Sequence, residues 1–480
     1  MQNSPGLTQR RKPYLLESAL TLAIAALALF LYFSKISRFD TLLLCFFGLS
    51  CMGIALIIVV SSSSHPLASL GVWFTFILTL QHGGGWILEQ IFTDQHYTRL
   101  VFFADYNYTM AKSVALAGIG ILTFAYAYAY FNARRRRNNL DTDCAAQTRN
   151  SAIDNIPWAI LLIYGSGILF FQINGGLNMF MGASTTIYLI RSVFGYLSNI
   201  VIILISVKLF TSRFKTRIVY LILIVLWGVY VFLTGQRQYI VGISLTTLVL
   251  AYKWRLTTVK ARQLALLGLF LLSVMVGMNY LRDIYGRSTF INMTLSEQLA
   301  VISERQTVRQ SDLNSSLEFD LGFRLNAGNI FLGLMADLPG VDVLWVEPVT
   351  FCAQTLVPNI IWTGKAQVFQ YDLPHLISIH YGIKSNVNYI VTFITVFYAM
   401  GGLPMLIFLA GLFGIMIAFL DIRLAQNTSI LSLILVIGLG YGLLSLDHSI
   451  DWLFLSLRNS LLLYLLVKLS ILIKGVVRKK

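Results

Sequence analysis

The chain has 480 residues, of which 57% are hydrophobic and only 12% are charged. Because a soluble domain carries about 25% charged residues, this composition excludes a soluble globular protein and predicts an all-α polytopic membrane protein. The formal net charge of +15 does not indicate a nucleic-acid partner. Its basic residues concentrate at the termini and in short connections, which is typical of membrane topology and of contact with lipid headgroups.

Crossing the hydrocarbon core of a bilayer takes about 20 mainly apolar residues. By this criterion we predict about twelve transmembrane helices, near residues 15–33, 41–60, 67–88, 111–131, 156–173, 190–210, 217–234, 238–253, 262–281, 402–420, 428–446 and 456–475. We interpret the first as an uncleaved helix. The chain then divides into an N-terminal bundle of about nine helices (1–281), a large loop (282–401) and about three C-terminal helices (402–480).

The basic clusters predict the orientation of these spans. If the N-terminus is cytoplasmic, every cluster falls on the cytoplasmic side, as the positive-inside rule requires: Arg134–Arg137, Arg213–Arg217, 253–262 and 474–480. Both termini are then cytoplasmic, and residues 282–388 lie outside.

The outer segment 282–388 holds 7 Lys/Arg and 10 Asp/Glu residues. A protein that only crosses the bilayer has no use for such a segment, so we expect the chemistry there. Apolar residues at helical spacing over 325–338, ended by Pro339, predict a short helix on the membrane surface. Residues 388–400 predict a second interfacial helix, and 357–362 an apolar dip tipped by a tryptophan. Together they predict a lid resting on the outer leaflet.

A histidine followed by three glycines lies late in the third predicted span, at His82–Gly85. Successive glycines there predict either the close approach of another helix or a re-entrant break. A phosphate cradle is a weaker interpretation, because no strand precedes the glycines.

Arginines lie near the outer ends of several predicted spans. Arg237 closes a tight turn, Arg282 and Arg287 follow another span, and Arg324 precedes the surface helix. A guanidinium forks onto two phosphate oxygens, so clustered arginines suit a diphosphate. Each arginine also fits a side chain that snorkels to headgroups or caps a helix.

Carboxylates and histidines in the outer segment are candidate proton acceptors for an attacking hydroxyl. These residues are Asp283, Glu318, Asp320, His375 and His380. Each alone also fits a solvated loop residue. The spacing of the carboxylates and of the four cysteines indicates no metal site and no disulfide framework.

Three local patterns in this chain resemble the bacterial O-antigen and exopolysaccharide repeat-unit polymerases, often called Wzy-like. They are Thr234–Arg237 at an outer helix end, Pro358–Lys365 in the large loop, and Asn388-Tyr389 with Tyr398–Gly402 before the next span. The architecture of about a dozen helices with one late outer loop is similar as well. The chain departs from many relatives at Asn359, where they have arginine.

The resemblance implies a membrane glycosyltransferase of the GT-C type in the inner membrane of a bacterial cell. Its substrate would be an undecaprenyl-diphosphate-linked oligosaccharide, with no nucleotide sugar, metal or cofactor. Membrane lipids and a polysaccharide chain-length regulator are the implied partners. We add Lys365, from the second pattern, to the arginines as a candidate ligand of the diphosphate.

Other functions stay open. An O-antigen ligase would share the outer loop and the lipid-diphosphate donor but use another acceptor. A lipid-linked oligosaccharide flippase or other transporter is less favoured, because the predicted spans contain little charge and transporters usually bury ionisable residues along their path. A non-catalytic assembly partner would leave the outer arginines dispensable.

Overall fold

The computed structural model describes residues 39–63, 65–87, 106–138, 165, 199–209, 214–233, 237–253, 328–337, 342–357, 373–381, 391–426, 430–444 and 450–479. Over these ranges the chain is helical apart from short connections, and it contains no strand. The prediction of an all-α fold is therefore confirmed for the described residues.

The helices are labelled here in chain order. They are α1 (Phe39–Ser62), α2 (Leu70–Thr79), α3 (Tyr106–Asn138), α4 (Asn199–Leu209), α5 (Phe214–Leu233), α6 (Arg237–Lys253), α7 (328–337), α8 (Glu347–Thr355), α9 (Leu373–His380), α10 (Phe393–Gln426), α11 (Ile430–Leu444) and α12 (Ile450–Lys479). A 3-10 turn, Pro66–Ala68, precedes α2, and a π-helical turn, Leu80–Gly84, continues it.

Within the described ranges, four segments are long and apolar enough to cross a membrane: Phe39–Ser62, Tyr106–Arg134, Phe393–Arg423 and Ile450–Leu469. Three shorter apolar helices accompany them: Asn199–Leu209, Thr216–Gly228 and Leu433–Leu444. These helices agree with a membrane protein. The larger number of about twelve spans stays a prediction, because the predicted spans 15–33 and 262–281 lie outside the described residues.

Glycines allow the long helices to pack at close range. A side chain at Gly48 of α1 would collide with the backbone of Val114 in α3, and one at Gly118 would collide with the backbone of Gly48. Gly414 of α10 lies equally close to the backbone of Phe124 in α3. Small residues at such crossings let helices approach where lipid gives no hydrophobic drive to associate. α3 is therefore packed between α1 and α10.

An aromatic cluster fills the space between α2, α3 and α10. The ring of Phe74 lies 5.1 Å from that of Phe124 and 5.4 Å from that of Phe393, centroid to centroid. Phe413 completes the cluster, 4.6 Å from Phe393. These side chains are nearly inaccessible to solvent, so α2 is held inside the bundle.

The helix α7 is buried in protein, so the prediction that it lies on the membrane surface is wrong for its described residues. Three consecutive side chains, Ile330, Phe331 and Leu332, have no exposed surface. Successive helical residues point in different directions, so burial of all three means that the helix is enclosed. Gly333 lies against Thr109 of α3. Part of the outer segment thus belongs to the core.

The segment predicted as an interfacial helix over 388–400, followed by a span over 402–420, is one element, α10, with an internal break. Gly401 has φ −177° and Gly402 has φ +64°, which interrupts the helix just before Pro404. Before the break, Val396, Phe397, Ala399 and Met400 are buried. This part of α10 therefore packs inside the protein and does not form a surface helix.

Candidate functional site

The break in α10 frees backbone carbonyl groups that a continuous helix would pair. Pro404 has no N–H, so it cannot serve the carbonyl of Met400. The carbonyl of Ala399 accepts a hydrogen bond of 3.0 Å from the backbone N–H of Leu344 and one of 3.2 Å from the hydroxyl of Tyr381. Two separate parts of the segment 282–388 are thus bonded to one carbonyl.

A buried histidine joins the π-helical turn to α7. The Nδ1 atom of His82 is 2.6 Å from Asn329 Oδ1, and Asn329 Nδ2 donates to the His82 carbonyl at 2.6 Å. Because a carbonyl only accepts, the amide orientation of Asn329 follows, and Nδ1 carries the proton. Nε2 lies 3.0 Å from Thr392 Oγ1, within hydrogen-bonding distance. Both ring nitrogens of this buried imidazole are therefore paired.

Gly83, directly after His82, serves close packing. A side chain at Gly83 would meet Met52 Sδ at 3.0 Å and Leu49 Cδ2 at 3.2 Å. The helix widens into a π turn here and continues over 85–87. The prediction of a close helix approach is confirmed at Gly83, and within the described residues 65–87 the helix does not break.

A half-exposed ion pair connects α3 to the end of α7. Lys112 Nζ lies 2.6 Å from Asp337 Oδ1, and the side chains are 34% and 28% exposed. The hydroxyl of Thr109 donates to the same carboxylate, and the Lys112 ammonium lies 5.4 Å from the ring centroid of Tyr108. This pair and the His82 contacts fix α7 at both of its ends.

These contacts gather at one end of the bundle, called here the loop end because the described parts of 282–388 pack there. At the other end the Asp421 carboxylate accepts hydrogen bonds from Ser69 Oγ, the Tyr128 hydroxyl and the backbone N–H groups of Leu70 and Gly71, all within 3.2 Å. Along α3, Thr109 and Tyr128 are about 28 Å apart, at about 1.5 Å per residue. This separation is close to the thickness of a hydrocarbon core.

Most of the predicted site residues lie outside the described part of the chain. They are Arg282, Asp283, Arg287, Glu318, Asp320, Arg324 and Lys365. Arg237 begins α6 and His375 lies in α9, and for both residues only the backbone is described.

Among the predicted bases, His380 is the one with a described side chain. Its Nε2 atom is hydrogen-bonded to the carbonyl of Asp342, which requires a proton on that nitrogen. The ring meets Tyr381 edge-on, with centroids 5.2 Å apart. Any role as a proton acceptor therefore falls to Nδ1. In the described ranges no group of three His, Cys, Asp or Glu residues could hold a metal ion.

The sequence patterns did not single out Lys112 or Asp337. They identified His82 only as the residue before three glycines and predicted no partner for its side chain. Asp337 occurs at the end of the apolar pattern of α7, where a carboxylate looks like a solvated terminus. Lys112 is the second residue of the predicted span 111–131, where a lysine resembles a headgroup anchor. Only the fold places the two side chains in contact.

Ionisable side chains are buried within predicted spans, so the expectation of little charge there is wrong at Lys208 and Arg458. Arg458 is 7% exposed in α12 and donates from Nη1 to the carbonyl of Thr355 at 3.1 Å. Lys208 of α4 is 8% exposed. Arg458 thereby links α12 to α8, another part of the outer segment.

Comparisons with protein-family models, with curated proteins and with solved structures found no match. The likeness to repeat-unit polymerases consequently rests on the three sequence patterns and on the predicted architecture.

Proposed function

We propose that this protein is a membrane glycosyltransferase that polymerises oligosaccharide repeat units carried on undecaprenyl diphosphate, at the outer face of a bacterial cytoplasmic membrane. Three sequence patterns support this proposal, because one ends at Arg237 and another contains Lys365. The structural observation that carries it most is the attachment of the outer segment at Ala399, within the third pattern.

In the proposed reaction, the bond between the sugar anomeric carbon and the diphosphate oxygen breaks. A hydroxyl of the acceptor repeat unit forms the new glycosidic bond, and its proton passes to a carboxylate or imidazole. The bases to test are Asp283, Glu318, Asp320, His375 and Nδ1 of His380. The lipid diphosphate leaves with the bonding electrons, so no oxidant, nucleotide or metal is required.

The main electrostatic requirement of this reaction is stabilisation of the negative charge on the leaving diphosphate. Arg237, Arg282, Arg287, Arg324 and Lys365 are the candidate groups that stabilise it. Preorganised donors aimed at developing charge usually give the largest catalytic contribution. In this proposal the first of them, Arg237, begins α6, so its backbone is fixed by the start of a helix.

Rigid support for the outer segment also fits this chemistry, because a diphosphate and an acceptor hydroxyl must be held in one geometry. The segment is tied to the bundle at Ala399, at His82 through Asn329 and at Lys112 through Asp337. A linker between spans would need none of these contacts.

Reconstitution tests the proposal. Purified protein in proteoliposomes, given only the cognate lipid-linked repeat unit, is expected to produce a ladder of longer lipid-linked glycans without nucleotide sugar. Product formed only when a second, non-repeat acceptor is added would indicate the ligase. No product under either condition, at verified incorporation, would contradict glycosyl transfer.

A transporter is the second candidate, because the burial of Lys208 and Arg458 is a feature of substrate pathways through membranes. In the same proteoliposomes a transporter would move a fluorescent lipid-linked oligosaccharide between leaflets without lengthening it. Extension without such movement would favour the polymerase.

A further inference from the structure

We propose that the turn at Trp345 and Val346 is the part of the outer segment that inserts into the membrane, at the boundary between the headgroups and the acyl chains. This inference concerns lipid contact and does not depend on the enzymatic activity proposed above. Its first support is the exposed fraction of the side chains in this turn. Trp345 is 64% and Val346 65% exposed, whereas the preceding Leu344 is only 2% exposed.

The backbone holds this tip outward. Trp345 has φ +47°, and it is the one non-glycine residue with positive φ in the described chain. That conformation is unfavourable for a bulky side chain. The turn is closed by a hydrogen bond from the Glu347 N–H to the Leu344 carbonyl, 3.0 Å long, and is continued by α8. Leu344 is thus an anchor, and the two residues after it project from the protein.

The residue that precedes the tip is bonded to a helix that is long and apolar enough to cross a membrane. The Leu344 N–H is bonded to Ala399 of α10, just before the break. After the break, Leu403, Ile407 and Phe408 are 38%, 42% and 61% exposed on a segment apolar enough to cross the membrane. The exposed apolar surface of the Trp345–Val346 tip is therefore next to the place where the lipid-facing surface of α10 begins.

The position of the turn along α10 and the polarity of the residues that flank it agree with the boundary between the headgroups and the acyl chains. From Leu403, directly after the break, to Asp421 the helix α10 runs over 18 residues, which corresponds to about 27 Å at about 1.5 Å per residue, close to the thickness of a hydrocarbon core. Exposed carboxylates at Asp342 and Glu347 flank the tip on both sides. They limit insertion to the two apolar residues. Tryptophan is the residue most enriched at this level of a bilayer.

We therefore expect bilayer lipid, and not a second protein, to contact the exposed Trp345–Val346 turn. This also revises the predicted contact between the outer segment and the leaflet. Because α7 is buried, the contact is assigned to the turn before α8 instead.

Spin labelling tests the proposal on the full chain. A nitroxide is attached at Val346→Cys, with Thr350→Cys as the solvent control and Phe408→Cys as the lipid control. Thr350 is exposed one helical turn further along α8. All variants carry Cys144→Ser, and the parent without an added cysteine gives the labelling background. Cys45, Cys51 and Cys352 are buried, and burial raises the pKa of the Cys352 thiol, which suppresses its reaction.

The protein is placed in nanodiscs of phosphatidylethanolamine and phosphatidylglycerol, one copy per disc. Collision rates with oxygen, which partitions into lipid, and with a water-soluble nickel chelate are measured. The label at position 346 is expected to be severalfold less accessible to nickel than that at position 350, and less accessible to oxygen than that at position 408. Equal nickel accessibility at 346 and 350 would overturn the proposal.

Two further outcomes would also overturn it. Shielding of the label at position 346 from both reagents would mean that protein covers the turn. The label at position 346 could also show low nickel accessibility and dipolar broadening in proteoliposomes at high protein density, and lose the low accessibility in discs that hold one copy. That result would mean that a second copy of the chain, and not lipid, covers the turn.

Discussion

The N–H of Leu344 and the carbonyl of Ala399 form a hydrogen bond of 3.0 Å between the segment 282–388 and α10. The bond exists because Gly401 and Gly402 interrupt α10 and leave that carbonyl available. A helix break that would be costly in lipid is tolerated where other protein groups satisfy its backbone. The glycine pair therefore serves to dock the outer segment.

Gly402 should be sensitive to substitution because its φ of +64° is left-handed. Gly402→Ala is expected to destabilise the protein by about 1–3 kcal/mol, and Gly402→Asn by a similar amount, because the combination of φ +64° with ψ −153° is essentially restricted to glycine. Thermal unfolding in detergent measures both. Equal stability of the alanine variant and the parent would contradict the described break.

Tyr381 should make stability depend on alkaline pH. Burial raises the pKa of Tyr381 to about 12, with a smaller effect of Tyr398, whereas an unfolded tyrosine has a pKa of about 10. The fold thus favours the neutral phenol. Its contribution is complete below about pH 10 and is lost as the pH rises through about 12.

The matched variant for this test is Tyr381→Phe, which should lose about 1 kcal/mol at neutral pH and show a smaller decline in stability between about pH 10 and 12 than the parent. Tyrosines that are not coupled to Tyr381 titrate alike in both proteins, so the difference between the two curves reports Tyr381 together with its coupling to Tyr398. Parallel curves would refute the described environment of its hydroxyl.

The pair His82 and Asn329 should be strongly coupled. His82→Leu removes the Nδ1–H donor to the buried Asn329 Oδ1, whereas the bond from Asn329 Nδ2 to the backbone carbonyl of residue 82 remains; the loss is expected to cost about 2 kcal/mol. The double variant His82→Leu/Asn329→Leu should be less destabilised than the sum of the two single variants, because the bond between His82 Nδ1 and Asn329 Oδ1 is lost in each single variant but can be lost only once. Additive losses in a detergent unfolding series would show that the two side chains do not interact.

Arg237 should be intolerant even of lysine if it binds the donor diphosphate with both arms of its guanidinium, because an ammonium lacks the planar fork. We expect Arg237→Ala and Arg237→Lys each to lower the polymerisation rate by roughly a hundredfold or more, at normal membrane abundance. Glycan ladders from cells expressing each variant provide the measurement. A ladder of parental length from the lysine variant would remove Arg237 from the site.

The helices and the α10 break could be foreseen from local sequence, because apolar length and paired glycines act within a few residues of where they occur. The partners of His82 could not, since Asn329 and Thr392 are 247 and 310 positions away. Periodicity identifies a helix but not what covers it.

α7 illustrates the point. Its Asn329 looks like the polar face of a surface helix, yet its amide is satisfied inside the core by His82. Similarly, Lys112 and Asp337 each look, in the sequence, like a charged residue at the solvated end of a helix. Their pairing depends on the crossing of α7 and α3 at Gly333, which no local pattern records.

The most direct test of the central claim is the glycan profile of cells that lack this gene, with a plasmid-borne copy as the control. The account predicts that polymer is replaced by single repeat units, that lipid-linked intermediates accumulate, and that the plasmid restores the ladder. Glycans of normal length in the deletion strain, or normal-length chains that fail only to reach their final acceptor, would contradict it.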